Sequence, residues 1–357
     1  MRARAERLSE LVVQAELDAL LITDLVNVRY VTDYSGSNGL ALVGPRTRSF
    51  LTDFRYVEQA AVEVHPSFHR RRAPQDLLDS VADALPGIGV RLGFEDARMS
   101  VRQHARLREL LPSRVELVPA SGLVERLRAV KEPEEVEAIR AATQLADAAC
   151  ERLLRGGLVG RTERELVIAL EHDMRERGAE GPSFDSIIAA GPQGALPHAQ
   201  PRDVLIRSGD LVVIDWGAQV DGYCSDCTRT VAAGRAEPEA ERVYELVLEA
   251  QIAGLRAVRA GQSGREADAV ARRVIEAGGH GEQFGHGLGH GVGLDIHESP
   301  RLSQRSEDEL HTGNIVTVEP GIYVPGRFGV RIEDLVLVTD DGCEILTSMP
   351  KRLMVTD

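Results

Sequence analysis

The most informative pattern of apolar and polar residues lies in the stretch LVVIDWGAQVDGYCSDCTRT, residues 211–230. Four apolar residues lead directly into Asp215, and the turn signal Asp221-Gly222 separates them from a second run of apolar and β-branched residues. Two such segments joined by Asp-Gly are typical of a β-hairpin with a tight turn. We therefore predict two antiparallel strands in this stretch.

The predicted hairpin places two acids, Asp215 and Asp226, on one face. If Gln219 pairs with Gly222, Asp215 lies opposite Asp226, and a register shift of two residues keeps both on that face because strand side chains alternate. Carboxylates so placed repel one another unless a positive charge lies between them, and buried ionised acids are normally paired or bound to a metal. A solvated hairpin with two unrelated acids is the alternative, and the rest of the chain decides against it.

Residues 1–125 show strand-like runs that alternate with helical stretches. We expect strands at residues 19–23, 39–43, 49–52, 90–94 and 115–118, and helices up to residue 16 and at residues 55–64, 74–85 and 101–111. This alternation predicts a mixed α/β layer domain. Its sequence shows no phosphate-binding loop, catalytic constellation or metal-ligand cluster, so we expect a scaffold, a lid or a dimer surface.

A second domain, residues 126–357, is predicted to begin with a long helix. Pro133 followed by two acids is typical of a helix N-terminus, and Gly156-Gly157 indicates an end near residue 154. Further along, capping boxes at residues 162–165 and 263–266 each open an amphipathic helix that ends near glycine. Unless this near-repeat is coincidental, it predicts two superimposable halves that close around one site.

The stretch FGHGLGHGVGLDIHE, residues 284–298, holds three histidines, His286, His290 and His297. Its glycines do not follow the order of a dinucleotide-binding loop. Histidines spaced among glycines are instead typical of side chains that approach a ligand. We therefore expect this stretch to line a binding site.

Two further acids, Glu319 and Glu333, lie in predicted strands at residues 315–319 and 330–338. Both strands are otherwise almost wholly apolar, where a bare carboxylate is costly. Arg331 lies two residues before Glu333 and therefore faces the same way. Each acid alone is compatible with a solvated residue, but two aspartates, two glutamates and a histidine together indicate a dinuclear metal site.

The donor types of this predicted site indicate which metals it takes. Oxygen-rich ligands with a single imidazole suit Mn²⁺ and tolerate Co²⁺ or Zn²⁺. Two such ions can lower the pKa of a water molecule and polarise a carbonyl group, which is metal-assisted hydrolysis. The expected cofactor is a pair of divalent ions, with Mn²⁺ favoured.

Length and composition narrow the other possibilities. The chain has 357 residues, 43% of them hydrophobic and 27% charged, which indicates a globular protein of about two domains. The net charge of −14 argues against a general nucleic-acid binder. No apolar run is long enough to span a membrane, and the N-terminal segment lacks a signal-peptide core, so we expect no membrane partner and a cytoplasmic location.

The four cysteines include one C-x-x-C pair, Cys224 and Cys227. Such a pair can indicate zinc binding or redox chemistry. No second pair or nearby Cys/His pair completes a zinc site, and no thioredoxin-like context surrounds it. We interpret both cysteines as residues that pack within a strand.

The stretches at residues 215–229, 284–298 and 317–334 resemble the pita-bread metallopeptidases, the family of Xaa-Pro aminopeptidases, prolidases and methionine aminopeptidases. The resemblance extends over essentially the whole chain. Residues 27–32 (NVRYVT) and 52–56 (TDFRY) resemble the creatinase-type N-terminal domain of the proline-directed branch. The resemblance implies an α+β fold, in which a creatinase-like α/β domain precedes a pita-bread domain with pseudo-two-fold halves.

The resemblance also implies roles for individual residues. The metal ligands are expected to be Asp215, Asp226, His290, Glu319 and Glu333, and Glu319 is also the expected proton acceptor. His198, in the stretch GALPHA, is expected on the substrate side. His286 and His297 are expected to line the pocket and stabilise the tetrahedral intermediate, and Arg331 is expected to orient ligands or substrate. All five ligand positions are filled, which implies an active enzyme.

Four other functions fit these residues less well. Methionine aminopeptidase shares the five ligands, but the N-terminal domain and His198 favour the proline-directed branch. Creatinase shares both domains but works without these metals. A non-enzymatic interaction protein on this fold is expected to have lost ligands, and a dinucleotide-binding oxidoreductase needs a fingerprint that is absent here.

Within the proline-directed branch, the choice lies between aminopeptidase P and prolidase. A prolidase needs a positive group that binds the proline carboxylate, whereas aminopeptidase P needs an open end beyond the proline. Arg301 is a candidate for that positive group, but it also recurs in aminopeptidases of this size. The short chain and the run HESPRLSQRSEDEL favour a small aminopeptidase P, with prolidase as the alternative. We expect a homodimer that acts on small peptides with proline in second position.

Overall fold

The computed structural model describes residues 2–87 and 89–357. The chain forms two compact units, Met1–Arg128 and Ala129–Asp357, which we call the N-terminal unit and the C-terminal unit. The first unit thus ends at residue 128, where the sequence suggested residue 125.

The N-terminal unit is a mixed α/β domain centred on one sheet. In chain order its elements are α1 (Arg2–Gln14), β1 (Ala19–Ile22), α2 (Leu25–Thr32), β2 (Leu40–Gly44), β3 (Thr47–Thr52), α3 (Val57–Glu63), β4 (His69–Arg72), β5 (Arg91–Phe94), α4 (Val101–Leu110), β6 (Glu116–Pro119) and α5 (Leu123–Ala129). The strand order is β4-β3-β2-β1-β5-β6. β2 is antiparallel to β1 and β3, and the other neighbours are parallel.

The pattern of the N-terminal unit predicted its strands better than its helices. All five expected strands are present, but residues 74–85 form two short 3₁₀ turns, Leu77–Ser80 and Ala82–Ala84, instead of one helix. Helices α2 and α5 and strand β4 were not predicted. β4 has the sequence HRRR and pairs with β3 at the edge of the sheet. Charged edge strands protect a sheet against further pairing, and they carry no apolar alternation by which a sequence could reveal them.

The C-terminal unit consists of two halves with similar elements. The first half contains α6 (Pro133–Arg155), α7 (Glu163–Glu176), β7 (Gly181–Pro182), β8 (Ile187–Ala190), β9 (Leu211–Trp216), β10 (Ala218–Val220), β11 (Tyr223–Cys224) and β12 (Cys227–Ala233). The second half contains α8 (Pro238–Ala257), α9 (Gly264–Ala277), β13 (Gly289–Gly291), β14 (Glu298–Leu302), β15 (Ile315–Val318), β16 (Gly321–Val324), β17 (Phe328–Arg331), β18 (Asp334–Val338), β19 (Cys343–Ile345) and β20 (Met354–Thr356).

Each half has its own main sheet and its own buried core, and β20, from the end of the chain, joins the sheet of the first half. The first sheet has the order β20-β12-β9-β8 and the second β14-β13-β15-β18-β19. In the first half, the buried Trp216 packs with Leu166 and Leu170 of α7, and its indole N–H donates to the Ala146 carbonyl at 3.0 Å. In the second half, Phe284 and Val247 lie in a separate apolar cluster.

Caps and turns recur in the two halves in the same order. The Thr162 and Ser263 hydroxyls cap α7 and α9, each within a capping box. Each cap residue also forms an isolated β-bridge, Thr162 with Leu205 and Ser263 with Glu309. Glycines with positive φ, which other residues rarely adopt, recur as Gly160, Gly178, Gly209 and Gly222 in the first half and Gly261, Gly279, Gly313 and Gly326 in the second. The predicted pseudo-two-fold organisation is confirmed.

The predicted hairpin is present, but its register differs by two residues. Val220 pairs with Tyr223, so the loop consists of Asp221 and Gly222, whose φ angles of 50° and 78° are both positive. A two-residue loop with positive φ at both positions matches the twist of a hairpin and favours Asp-Gly. Asp215 consequently lies opposite Thr228, and Asp226 occupies the diagonal position on the same face.

The segment predicted as one strand at residues 330–338 is two strands, β17 and β18, which meet at Ile332 and Glu333. β17 pairs with β16, whereas β18 pairs with β15. The Glu333 N–H donates across to the Thr228 carbonyl at 3.0 Å. Glu333 thus lies where the chain changes strand partner, beside the hairpin of the first half.

The C-x-x-C pair forms no disulfide in this structure. Cys224 and Cys227 are free thiols and are both buried. Burial raises the pKa of Cys224 to about 12 and that of Cys227 well above its ordinary value. Both therefore pack within the strands as neutral thiols. In the part of the chain that the structure describes, no helix is long and apolar enough to cross a membrane.

Candidate metal centre

One cavity of about 420 Å³ in the C-terminal unit gathers the side chains that the sequence singled out. Its walls come from both halves, and they include apolar groups such as Phe184 and Ile296 beside the charged ones. The residues predicted as ligands or catalytic groups that line it are Asp215, Asp226, His290, Glu319, Glu333, His198, His286, His297 and Arg331. All of the predicted site residues thus face the same space.

One group of possible metal donors consists of Asp226, His290 and Glu333. One ligand atom from each lies within 4.8 Å of the other two, and all three residues are buried. The His290 Nε2 atom lies 3.3 Å from Glu319 Oε1 and 3.6 Å from Asp226 Oδ2. Carboxylates from both halves therefore converge on one imidazole.

The hydrogen bonds of His290 orient its ring toward this group. Its Nδ1 atom lies 3.1 Å from the Gly291 carbonyl. A carbonyl can only accept, so Nδ1 carries the proton and Nε2 presents its lone pair to the carboxylates. Burial, together with the neighbouring His297, lowers the pKa of His290 to about 3. A neutral imidazole held by its other nitrogen is the usual form of a metal-binding histidine.

Asp215 is held by a buried guanidinium. The Arg331 Nη2 atom donates to Asp215 Oδ2 at 2.5 Å. The other carboxylate oxygen, Oδ1, is buried and has no hydrogen-bond partner among the residues that the structure describes. A buried carboxylate oxygen without a partner is costly, and it is free to bind a cation.

The electrostatics of the cavity favour bound positive charge. Burial raises the pKa of Asp226 and of Glu333 well above their ordinary values, and nearby carboxylates act in the same direction. Burial also raises the pKa of Glu319 to about 7, although Arg331 opposes the shift. These acids are therefore difficult to ionise together in the protein alone. Divalent ions remove this conflict, and the donor set fits them.

Arg331 connects several residues of the centre. Besides Asp215, its guanidinium donates to the Tyr323 hydroxyl at 2.9 Å and to the Thr228 hydroxyl at 2.9 Å. It also donates to the Pro197 carbonyl at 3.3 Å, next to His198. Arg331 is buried, so these hydrogen bonds determine where its charge lies.

Tyr323 joins Arg331 to His286. The Tyr323 hydroxyl lies 2.9 Å from His286 Nε2, and His286 Nδ1 lies 2.8 Å from the Gly287 carbonyl. Because that carbonyl only accepts, His286 Nδ1–H donates to it and Nε2 accepts from Tyr323. Burial lowers the pKa of His286 to about 4, and the charge of Arg331 contributes. Both nitrogens of His286 therefore bind protein groups in this structure.

His198 and His297 lie on more open parts of the cavity wall, and both residues are exposed. The His297 ring packs edge-on against His290 with a centroid distance of 4.4 Å. Burial and the charge of Arg301 lower the pKa of His297. Both imidazoles can therefore reach a molecule in the cavity as hydrogen-bonding groups.

Two protein-family models match the chain. The model of metallopeptidase family M24 matches residues 137–340, more than half of the chain, and the model of the creatinase/prolidase N-terminal domain matches residues 4–130. The chain belongs to metallopeptidase family M24. It is accordingly a peptidase with a creatinase-like N-terminal domain and a pita-bread C-terminal domain, as the resemblance predicted.

Solved structures and curated proteins of the M24 family are similar over almost the whole chain. A Xaa-Pro dipeptidase from Bacillus anthracis is 41% identical with a TM-score of 0.95, and an X-Pro aminopeptidase from Thermotoga maritima MSB8 is 36% identical with a TM-score of 0.91. In each case 99% of both chains is covered. A Xaa-Pro dipeptidase from Pyrococcus furiosus is 36% identical over 356 residues, which are 99% of this chain and 100% of that one.

Two residues of this M24 centre were not found from the sequence, Thr228 and Tyr323. Thr228 lies two residues after Asp226 and therefore shares its face of the hairpin. The alternation of side chains along a strand could therefore have identified Thr228 from the sequence. Tyr323 lies in a β-hairpin that returns to Arg331, and its contact with His286 depends on packing that the sequence does not reveal.

Proposed function

We propose that this M24 peptidase is a Xaa-Pro dipeptidase, or prolidase, that uses two divalent ions, with Mn²⁺ favoured by the donor set. The observation that carries the proposal is Arg301, whose exposed side chain lines the cavity that holds the carboxylate cluster. The sequence favoured aminopeptidase P with prolidase as the alternative. The names of the relatives in Bacillus anthracis and Pyrococcus furiosus support the alternative, and the proposal adopts it.

The proposed ligands of the two ions are the four carboxylates and the imidazole of the cluster: Asp215, Asp226, His290, Glu319 and Glu333. Such ions lower the pKa of a water molecule and polarise a carbonyl group. The unpartnered Asp215 oxygen, the lone pair of His290 and the buried carboxylates support this assignment.

The other groups of the cavity act on the substrate in the proposed mechanism. Glu319 accepts the proton of the attacking water, and the Thr317 hydroxyl holds its Oε1 atom at 3.1 Å. His297 and His198 donate hydrogen bonds to the oxygen of the scissile carbonyl as charge develops on it. His286 acts through Tyr323 and Arg331, which keep Asp215 in position.

Arg301 explains the preference for a dipeptide in this proposal. Its side chain is exposed and lines the cavity, and within the described part of the chain its guanidinium makes no hydrogen bond or ion pair. The product-side residue of a Xaa-Pro dipeptide carries a carboxylate, which a guanidinium binds with paired hydrogen bonds. A longer peptide has an amide there and gains no such charge pair.

A second candidate function is aminopeptidase P, which the likeness to the Thermotoga maritima X-Pro aminopeptidase favours. In that function the end of the cavity beside Arg301 stays open to residues beyond the proline. The two functions therefore differ in whether the carboxylate of proline contributes to catalysis.

The test compares Ala-Pro with Ala-Pro-amide, which differ only in that carboxylate, using Mn²⁺-loaded protein and a chelated control. A dipeptidase cleaves Ala-Pro with the higher kcat/KM. In that case Arg301→Gln raises the KM for Ala-Pro and leaves the KM for Ala-Pro-amide nearly unchanged. Losing a charged hydrogen-bonding partner costs about 1.5–3 kcal/mol, so the expected change in KM is roughly 10–150-fold. Arg305→Gln is the matched control, because Arg305 is exposed on the same segment and does not line the cavity.

Equal rates on the two substrates contradict the dipeptidase proposal and favour aminopeptidase P. Loss of Ala-Pro cleavage in Arg305→Gln as well as in Arg301→Gln contradicts the specific role of Arg301. No cleavage of either substrate removes proline as the determinant of specificity.

A further inference from the structure

The hydroxyl of Thr228 lies between two charged side chains of the candidate metal centre. It is 2.9 Å from the Nε atom of Arg331 and 2.7 Å from the Oε2 atom of Glu333. We propose that Thr228 is a positioning residue, which holds the Glu333 carboxylate in its metal-binding orientation and couples that orientation to Arg331. This inference rests on the ligand assignment of the proposed function.

The direction of these two hydrogen bonds follows from the chemistry of the groups. The Nε–H of a guanidinium can only donate, so the Thr228 oxygen accepts from Arg331. The single hydroxyl proton is then available to Glu333, whose carboxylate oxygen accepts it. Arg331, Thr228 and Glu333 therefore form a directed chain that ends on a proposed metal ligand.

Within the described part of the chain, Thr228 is the hydrogen-bond donor to the Glu333 carboxylate. The other hydrogen bonds of Glu333 involve its main chain: its N–H donates to the Thr228 carbonyl at 3.0 Å, and its carbonyl accepts from Arg229 and from the Cys227 thiol. The main chain of Glu333 is thus fixed by β12, but the rotation of its carboxylate depends on one hydroxyl.

Burial makes this dependence strong. Thr228 has no exposed surface, and Glu333 and Arg331 are almost completely buried. A buried donor or acceptor that loses its partner cannot turn to bulk water instead. A β-branched side chain is also stiff about its first torsion angle, so the Thr228 hydroxyl keeps a fixed direction.

The second half of the C-terminal unit contains a comparable threonine. The Thr317 hydroxyl accepts from the main-chain N–H of His290 at 3.1 Å and donates to Glu319 Oε1 at 3.1 Å. Both glutamates of the proposed ligand set therefore receive a hydrogen bond from a buried threonine. This second case supports the view that the hydroxyls orient carboxylates rather than merely fill space.

The test is the affinity of metal-free protein for Mn²⁺, measured from the EPR signal of free Mn²⁺ during titration. Thr228→Val keeps the shape of the side chain and removes the hydroxyl, and we expect affinity to fall about 10–100-fold, as is typical when the partner of a metal ligand is lost. Thr143→Val is the matched control. Thr143 is also buried, and its hydroxyl donates to the Ile139 carbonyl within α6 at 2.8 Å. The Thr143→Val variant should bind Mn²⁺ with the affinity of the wild-type protein.

Wild-type affinity in folded Thr228→Val overturns the inference while leaving the metal site intact. If the wild-type protein itself binds no Mn²⁺, the ligand assignment fails instead, so the two failures are distinguishable. An equal loss of affinity in Thr143→Val also overturns the inference, because any buried hydroxyl would then matter.

A second pair of variants decides the question if Thr228→Val does not fold. Thr228→Ser keeps the hydroxyl and loses the methyl group, whereas Thr228→Cys replaces the hydroxyl by a weak donor. We expect Mn²⁺ affinity within about threefold of wild type for serine, since its hydrogen bonds are unchanged in kind, and clearly weaker binding for cysteine. Equal losses in the two variants overturn the inference.

Discussion

In the first half of the C-terminal unit, Asp215 lies near the end of β9, and in the second half Glu319 follows directly after β15. The two strands occupy corresponding places in their sheets, next to β12 and β18. The neighbours of the two acids nevertheless differ. Asp215 accepts from the guanidinium of Arg331, whereas Glu319 accepts from the neutral hydroxyl of Thr317. A repeated scaffold can thus place two carboxylates alike and still give them different chemistry.

This difference suits two roles in one centre. The partner of Asp215 is a permanent cation, because a guanidinium does not deprotonate in proteins. Glu319 has a neutral partner instead, and burial raises its pKa to about 7 in the protein without bound metal. We propose a matching division of labour, with Asp215 as a ligand only and Glu319 as a ligand and proton acceptor.

The largest expected effect comes from removing one carboxylate from either half. Asp226→Ala in the first half and Glu333→Ala in the second should each abolish tight Mn²⁺ binding. The loss of metal-assisted charge stabilisation, several kcal/mol, lowers kcat/KM by on the order of 10³-fold or more. Metal analysis of the purified variants and Ala-Pro hydrolysis check this. Full activity in either metal-depleted variant contradicts the ligand assignment.

The contrast between Arg331 and Thr317 predicts unequal losses of stability. Arg331→Met leaves the partly buried Asp215 carboxylate without its partner, and we expect a cost on the order of 3 kcal/mol in the free energy of unfolding, the lower end for buried pairs. Thr317→Val removes a neutral hydroxyl and costs about 1–3 kcal/mol. Urea unfolding of the metal-free variants measures both values. Equal losses would show that the charge on Arg331 does not distinguish the two halves.

Metal binding should stabilise the fold by linking the two halves. A ligand that binds the folded state at one hundred times its Kd adds about 2.7 kcal/mol to the free energy of unfolding. We expect this gain when Mn²⁺ is added to chelator-treated wild-type protein, and no gain in Asp226→Ala. A similar gain in that variant would place the stabilising metal elsewhere.

The smallest expected effect concerns the two capping boxes. Thr162→Ala and Ser263→Ala remove corresponding helix caps and should each cost about 1 kcal/mol. Ser263→Gly should cost only a few tenths of a kcal/mol, because glycine is tolerated at this position. Thermal unfolding measures the three variants. Markedly different costs for the two alanine variants would limit the likeness of the halves to the backbone.

The candidate site was more predictable from the sequence than the details that support it. Carboxylates in apolar strands and histidines among glycines are conspicuous because burying them is costly, and all the predicted site residues line one cavity. The register of the hairpin was wrong by two residues because the turn conformation, not the apolar pattern, determines where the loop closes. Because strand side chains alternate between the two faces, a shift of two residues still leaves Asp215 and Asp226 on the same face.

What the sequence could not predict are contacts between distant segments. The hydrogen bonds of Arg331 with Tyr323 and Thr228 join β17 to β16 and to β12, and no local pattern marks them. Strand β4, with the sequence HRRR, was missed for a related reason, since its backbone pairing does not depend on an apolar face. Local sequence patterns identify the polar residues that are costly to bury, whereas packing between distant segments determines their partners.

The most direct test of the account is the ratio of hydrolysis rates for Ala-Pro and Ala-Pro-Gly, measured with Mn²⁺-loaded protein beside a chelated control. Metal-dependent cleavage of the dipeptide that greatly exceeds cleavage of the tripeptide is the predicted result. Cleavage of the tripeptide at an equal or higher rate would contradict the proposed dipeptidase and indicate an aminopeptidase that is open beyond the proline.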